Sequence, residues 1–405
     1  MQACPLWTDL YELTMMGGFF RSGVAERRAV FDLFFRRIPH DGGYAVVAGL
    51  QDALRFLSDL HFEPDELEYL SELGLFPPGF VDRLADFRFT GDVYALPEGT
   101  PAFAYEPLLR LEGTLLEAQL VESALLNLIN FSTLIASKAA RVVQEAGYDK
   151  VVEFGLRRAQ GPDGSFSATR AAYIGGVAAT SNTFAGARLN IPVRGTHAHS
   201  WVMAFPDELS AFRAYAESYP DSCILLVDTY DTLGSGVPNA ITVGRELRAR
   251  GHDLYGIRLD SGDLAYLSIE ARRMLDAAGF TSTRIVASGD LDEWIIHDLL
   301  SQGARIDVWG VGTRLVTGGH DSALGGVYKL AAVERNGHLL PAMKVSDNPA
   351  KETLPAKKQV WRLFDGNGTM MADVIALADE ELPERDGCVL GYNPHHEYQR
   401  KDYAY

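Results

Sequence analysis

Apolar positions change their spacing twice along this chain, and each change predicts a different architecture. Leu10-Tyr-Glu-Leu-Thr-Met-Met-Gly-Gly-Phe-Phe20 carries apolar side chains at helical intervals, with a glycine pair inside. Ala29-Val-Phe-Asp-Leu-Phe-Phe35 runs apolar like a strand and is closed by Arg36-Arg37. Strand character between Gly91 and Gly113 is broken by Pro97, Pro101 and Pro107. Leu115 to Val142 is apolar at helical spacing with few charges, which predicts a long buried helix. Residues 1–148 therefore read as an N-terminal α+β unit.

From residue 149 the pattern becomes repeated strand-then-loop units. Predicted strands are Val151 to Phe154, Leu189 to Val193, Ile224 to Val227, Leu254 to Leu259, Arg284 to Ala287 and Ile306 to Val311. The last four begin roughly 20–30 residues apart, about one strand plus a return helix. Helical patterns over Ala240 to Arg250 and Leu264 to Ala278 fill the gaps. Polar residues follow each strand, which favours a parallel barrel with one shared mouth over a doubly wound sheet. Residues 149–330 form this predicted unit. From 331 to 405 the texture changes again. A polar, lysine-rich stretch from Val345 to Lys358 leads into strands at Gln359 to Phe364 and Met370 to Leu377. This tail is expected to pack back on the N-terminal unit.

Charge and composition narrow the function. The 405 residues carry 37 basic and 54 acidic side chains, a net charge of −17. That balance argues against nucleic acid or an anionic membrane as partner. Cys4, Cys223 and Cys388 are widely separated, so neither a zinc knuckle nor a disulfide framework is expected. Met1 to Asp9 shows no basic and apolar signal-peptide pattern, and no apolar run reaches transmembrane length. The expected location is the cytoplasm.

Candidate chemistry gathers at the strand ends. Gly195-Thr-His-Ala-His-Ser200 places Thr196, His197, His199 and Ser200 after an apolar run. His199 has the character of a nucleophile or proton carrier. Asp228-Thr-Tyr-Asp231, Arg258-Leu-Asp-Ser-Gly-Asp263, Ser288-Gly-Asp290 and Gly310-Val-Gly-Thr-Arg314 follow the next four strands. Singly, these are turns or helix caps: Asp228, Asp260 and Asp263 could each cap a following helix. Jointly they suit a phosphorylated sugar, with phosphate on glycine amides, ribose hydroxyls on Asp260, and Arg258 compensating charge. Arg157 and Arg158, in Glu153-Phe-Gly-Leu-Arg-Arg-Ala-Gln-Gly161, suggest an anion such as a carboxylate.

Together with Thr8-Asp-Leu-Tyr-Glu-Leu-Thr-Met15 and Thr180-Ser-Asn182, these segments resemble nicotinate phosphoribosyltransferase in motif and order across nearly the whole chain. The resemblance implies a distorted, TIM-like parallel α/β barrel with an N-terminal sandwich domain completed by the C-terminal tail. It implies the synthesis of nicotinate mononucleotide and pyrophosphate from nicotinate and phosphoribosyl pyrophosphate, coupled to ATP, as the entry to NAD salvage. By the same resemblance His199 is the histidine phosphorylated by ATP, with Asp228 orienting it. Phe154 stacks on the pyridine ring and Tyr11 covers its other face from the neighbouring subunit of a homodimer. Arg158 or Arg157 meets the carboxylate or phosphate, and Thr196, Ser200, Arg258, Asp260 and Ser261 bind substrate. Gly289, Gly312 and Thr313 hold the 5′-phosphate. Mg²⁺ is carried mainly by phosphates, and no protein metal cage is expected. His197 is either a second proton shuttle or a filler.

The nearest rival is nicotinamide phosphoribosyltransferase, which shares the His-Ser pair and the Arg-x-Asp-Ser-Gly motif. The Phe-Gly-Leu-Arg-Arg-Ala-Gln run favours the acid. Quinolinate phosphoribosyltransferase would need no phosphorylated His199. A non-catalytic nucleotide-binding regulator would have lost one of His199, Asp228, Arg258 and Asp260. A metal-dependent barrel lyase would need a ligand set of its own.

Overall fold

The chain divides by internal contacts into two units, one of residues 1–38, 49–130 and 324–405, the other of 39–48 and 131–323. The computed structural model describes residues 4–344, 353–382, 384–385, 388–392 and 400–404. The N-terminal part of the lysine-rich stretch, residues 345–352, lies outside the described residues.

The first unit is built on a five-stranded antiparallel sheet. Its spatial order is His338–Pro341, Gly326–Arg335, Arg28–Phe35, Leu109–Thr114 and Asp92–Ala95. Arg28–Phe35 sits at the centre and is buried at every position after the first, so its sequence runs apolar instead of alternating. Asp32 interrupts that run and meets Lys358 Nζ at 2.6 Å. Burial drives the Asp32 pKa upward, and Lys358 and Arg110 only partly counter it. Glu112 meets Lys357 Nζ at 2.9 Å, and Arg110 donates to the Lys358 carbonyl. These charges tie the C-terminal hairpin, Lys358–Phe364 against Met370–Leu377, to the sheet. Gly326–Arg335 was not recognisable as a strand of this sheet from its own pattern. Its pairing partner lies almost 300 residues earlier, from Ala29↔Val333 to Phe35↔Gly326.

The helix Leu10–Arg21 starts with a capping box of Asp9 and Glu12. The expected helix over Leu115 to Val142 divides into Leu115–Leu120 and Glu122–Ala146, the first opened by a Thr114–Glu117 capping box.

The second unit holds a six-stranded parallel sheet. Its order is Ala179–Thr180, Val151–Glu153, Val308–Val311, Arg284–Ser288, Gly256–Leu259 and Ile224–Leu226. Helices Val237–Ala249, Leu264–Ala277 and Glu293–Ser301 return the chain between successive strands. They bury Leu247, Ala271, Leu275 and Ile296 in a core with Leu225, Ile257, Ile285 and Trp309. Leu189 to Val193 is not a strand. Leu189 ends the helix Thr183–Leu189, Asn190 turns left-handed at φ 55°, and only Val193 makes a parallel bridge, to Thr180. No helix among the described residues is long and apolar enough to cross a membrane.

Candidate active site

Because the six strands are parallel, their C-terminal ends open on one side. Phe154, Gly312, Gly289, Asp260 and Asp228 follow the strands Val151–Glu153, Val308–Val311, Arg284–Ser288, Gly256–Leu259 and Ile224–Leu226. Register fixes their spacing: Ser288 lies beside Gly310, and Val286 beside Arg258.

Arg258 organises the centre. Its Nη2 donates to Asp260 Oδ1 at 2.7 Å, Nε to Ser288 Oγ at 2.9 Å, and Nη1 to Thr196 Oγ1 at 2.9 Å. Ser288 donates in turn to Asp260. Burial would raise the Asp260 pKa, but the Ser288 hydroxyl and the Arg258 guanidinium outweigh it and hold the carboxyl below its usual range. The Asp260 amide and the Ser261 hydroxyl both donate to Asp228 Oδ2, at 2.9 and 2.6 Å. Asp228 Oδ1 is buried without a hydrogen-bond partner and faces His199. Asp228 is thus not a helix cap, and neither is Asp260. Asp263 is one: it caps Leu264–Ala277 through the Tyr266 amide.

His199 is the first residue of the short helix His199–Met203, with Val202 buried and Trp201 Nε1 bonded to the Ala211 carbonyl. Its side chain is 37% exposed, enough to meet a substrate. Nε2 lies 3.9 Å from both Asp228 Oδ1 and Asp260 Oδ2, while Nδ1 lies 3.1 Å from Thr229 Oγ1. Carboxylates only accept, so they favour the tautomer with its proton on Nε2. Nδ1 then carries the lone pair and accepts from the Thr229 hydroxyl. From the sequence, Thr229 has no role beyond its place beside Asp228, while Ser288 belongs to a segment expected to hold phosphate; its hydroxyl bonds Asp260 instead.

Phe154 is half-buried, and its ring lies 5.7 Å from the Arg258 guanidinium. The ring closely approaches Gly310, where a Cβ would come within 2.6 Å of it. The turn that follows Phe154 is anchored by buried Glu153, which accepts from Thr169 at 2.9 Å, Thr180 at 2.6 Å and the Gly155 amide. Arg157 and Arg158 lie on the exposed turn Leu156–Arg158, and neither makes an ion pair among the described residues. Gly289 takes φ +107°, a conformation that L side chains rarely adopt, and a Cβ there would collide with the Asp260 carbonyl oxygen. Gly312 and Thr313 open the adjacent short helix Thr313–Val316, and Arg314 bonds Asp292 at 2.7 Å, joining the two loops. Ser200 is exposed. Tyr11 belongs to the first unit, where its ring is half-exposed and burial and Glu122 raise its pKa.

A histidine, two carboxylates and an arginine at the open ends of parallel strands define an α/β enzyme site. Comparison with known proteins specifies which. Residues 150–367, more than half the chain, match the nicotinate phosphoribosyltransferase (NAPRTase) family, and residues 6–130 and 357–405 match its N-terminal and C-terminal domains. A nicotinate phosphoribosyltransferase of Bacillus subtilis is 50% identical over 94% of this chain and 77% of its own. One from Dictyostelium discoideum is 40% identical over 98% of this chain and 76% of its own. The crystal structure of human nicotinic acid phosphoribosyltransferase superposes with a TM-score of 0.85 at 34% identity, covering 98% of this chain and 86% of that one. The chain belongs to the nicotinate phosphoribosyltransferase family, and its activity is that family's, in NAD salvage.

Proposed function

We propose that this chain joins nicotinate to phosphoribosyl pyrophosphate and drives the reaction by ATP through a phosphohistidine at His199. The observation that carries the reading is the split environment of His199, with two carboxylates on Nε2 and a hydroxyl on Nδ1. The Nδ1 lone pair leaves the Thr229 hydroxyl and attacks the γ-phosphorus of ATP, a P–N bond forms, and the P–O bond to ADP breaks. The Nε2 proton stays against Asp228 and Asp260, whose charge balances the imidazolium. Water later cleaves the P–N bond to give inorganic phosphate.

In the transfer step the pyridine nitrogen lone pair attacks C1′ of the sugar. The C1′–O bond breaks and its electrons leave with pyrophosphate, so no proton need move. The carbon passes through an oxocarbenium-like state, which the carboxylate of Asp260 stabilises while binding the ribose hydroxyls. Gly289, Gly312 and Thr313 would receive the 5′-phosphate on neighbouring strand ends, and Ser261 and Ser200 line the same mouth. The unpartnered Oδ1 of Asp228 and the carboxylate of Asp260 suit a Mg²⁺ ion brought in on phosphate oxygens. When bound, that ion would neutralise charge on the departing pyrophosphate.

Phe154 offers the stacking face for pyridine. The 5.7 Å approach of Arg258 to its ring supports Arg258, with Thr196, as the group beside the nicotinate carboxylate. The exposed Arg158 and its neighbour Arg157 are left for phosphate. We read the parallel sheet as part of a distorted barrel. By the family resemblance, the working form is a cytoplasmic homodimer in which the neighbouring subunit's copy of Tyr11 covers the ring.

The test is nucleotide formation with phosphoribosyl pyrophosphate and Mg²⁺, comparing nicotinate with nicotinamide, each with and without ATP. Preference for nicotinate with ATP stimulation is expected, and His199→Ala should lose ATP turnover while keeping slow ATP-independent synthesis. Full coupled ATP hydrolysis in His199→Ala would overturn the phosphohistidine.

A further inference from the structure

His197 takes no part in the chemistry above, yet its surroundings are specific. The strand Ile224–Leu226 pairs with Gly256–Leu259 along one edge. Successive amides of a strand point to opposite edges. The Val227 amide donates to the Arg258 carbonyl at 3.1 Å, so the Leu226 amide faces the other edge. There it donates to Nε2 of His197 at 3.2 Å, in a buried bond. An amide can only donate, so Nε2 is an acceptor and the ring proton sits on Nδ1, which faces the Ala198 carbonyl at 3.4 Å. The rings of Tyr215 and Phe212, their centroids 4.6 and 6.3 Å from that of the imidazole, confine it. Burial pushes its pKa down to about 4, so the ring is neutral over the physiological range. With both nitrogens engaged and no exposed face, it is not a proton shuttle.

Two residues beyond Leu226 stands Asp228, and two residues beyond His197 stands His199. We propose that His197 is a positioning residue: its imidazole replaces the ladder bond missing from the open edge of Ile224–Leu226, and so sets His199 against Asp228 and Thr229. The Arg258 side chain reinforces the same junction, since its Nη1 reaches both the Thr196 hydroxyl and the His197 carbonyl. The inference rests on the reading of His199 as phosphate carrier. It assigns His197 to the phosphorylation step and not to sugar transfer.

The experiment compares His197→Phe, His197→Gln and His197→Asn with His199→Ala in the full chain. Two quantities are measured: covalent label from γ-labelled ATP, and nucleotide formation without ATP. Phenylalanine keeps a ring against Tyr215 and Phe212 but has no acceptor. Label formation in His197→Phe should fall on the order of tenfold to a hundredfold, as small misplacements of reacting groups do, while ATP-independent synthesis changes far less. Glutamine, whose Oε1 reaches about as far as Nε2, should restore most of the label. Asparagine, one methylene shorter, should not. The glutamine–asparagine pair carries the test if the phenylalanine variant does not fold. A His197→Phe protein that is labelled at the wild-type rate, or that loses both activities in proportion, overturns the positioning role. So does equal behaviour of glutamine and asparagine. If His199→Ala itself still takes up label, the phosphohistidine reading fails, and this inference with it. Label lost in His199→Ala but kept in His197→Phe overturns the positioning role alone.

Discussion

Nδ1 of His199 lies 3.1 Å from Oγ1 of Thr229, a residue thirty positions later at the end of the neighbouring strand. The contact marks Nδ1 as the nitrogen that carries the lone pair, because the opposite nitrogen faces two carboxylates.

Replacing Thr229 with valine keeps the shape of the side chain and removes its hydroxyl. A lost neutral hydrogen bond costs roughly 1 kcal/mol, equivalent to about a fivefold change in rate. The expected result is a severalfold slower phosphorylation of the enzyme by ATP with unaltered ATP-independent synthesis. Rapid-quench measurement of the labelled protein checks this, and an unchanged rate removes Thr229 from the site.

Arg258 holds Asp260, Ser288 and Thr196 at once while reaching over the Phe154 ring. Arg258→Ala leaves these polar groups without their donor and removes the cation beside the proposed pyridine position. The KM for nicotinate is expected to rise on the order of tenfold to a hundredfold, and Arg258→Lys should recover only part, because one ammonium cannot reproduce the fork. Initial-rate kinetics with nicotinate varied at saturating phosphoribosyl pyrophosphate decides it. If Arg158→Ala raises the nicotinate KM and Arg258→Ala does not, the carboxylate belongs to Arg158.

Gly310→Ala would bring a methyl group within 2.6 Å of the Phe154 ring, closer than a side chain tolerates. Overpacking of this kind costs roughly 1–3 kcal/mol. The ring must move, so weaker nicotinate binding and a lower unfolding temperature should appear together. Calorimetry on the variant with and without nicotinate reads both, and an unperturbed protein would contradict the close approach.

In the first unit, burial, with the Asp373 carboxylate alongside, pushes the pKa of Glu106 up to about 7. Asp373 keeps its own pair with Arg362 at 2.6 Å. A folded-state pKa above the unfolded one stabilises the protein below the unfolded value, and that contribution is lost as pH rises through the folded one. The window runs from the ordinary glutamate value of 4.5 to about 7. Glu106→Gln, neutral throughout, should therefore be more stable than the parent at about pH 8 and lose that advantage near pH 5. Thermal unfolding at the two pH values tests the sign.

Much of the catalytic unit was legible in the sequence because its signals are local. Short apolar runs followed by Asp-Thr-Tyr, Arg-Leu-Asp-Ser-Gly-Asp or Ser-Gly-Asp mark a strand and its end within a few residues, and the return helices carry their own spacing. Leu189 to Val193 misled because a partly buried leucine at a helix end, followed by Ile191 and Val193, spaces its apolar residues as a strand does. Gly326–Arg335 escaped because nothing in its own pattern names Arg28–Phe35 as its partner.

The sequence by itself determined which side chains stand at the strand ends, since turn chemistry and apolar runs are fixed by neighbours along the chain. Only the tertiary structure decided how those side chains face one another. The register between strands about thirty residues apart brings Thr229 to one nitrogen of His199 and Asp228 and Asp260 to the other. It also turns His197 from an ambiguous loop residue into the acceptor for the Leu226 amide. Such pairings follow from the packing of helices that hold each strand in register, and that packing is a property of the whole unit.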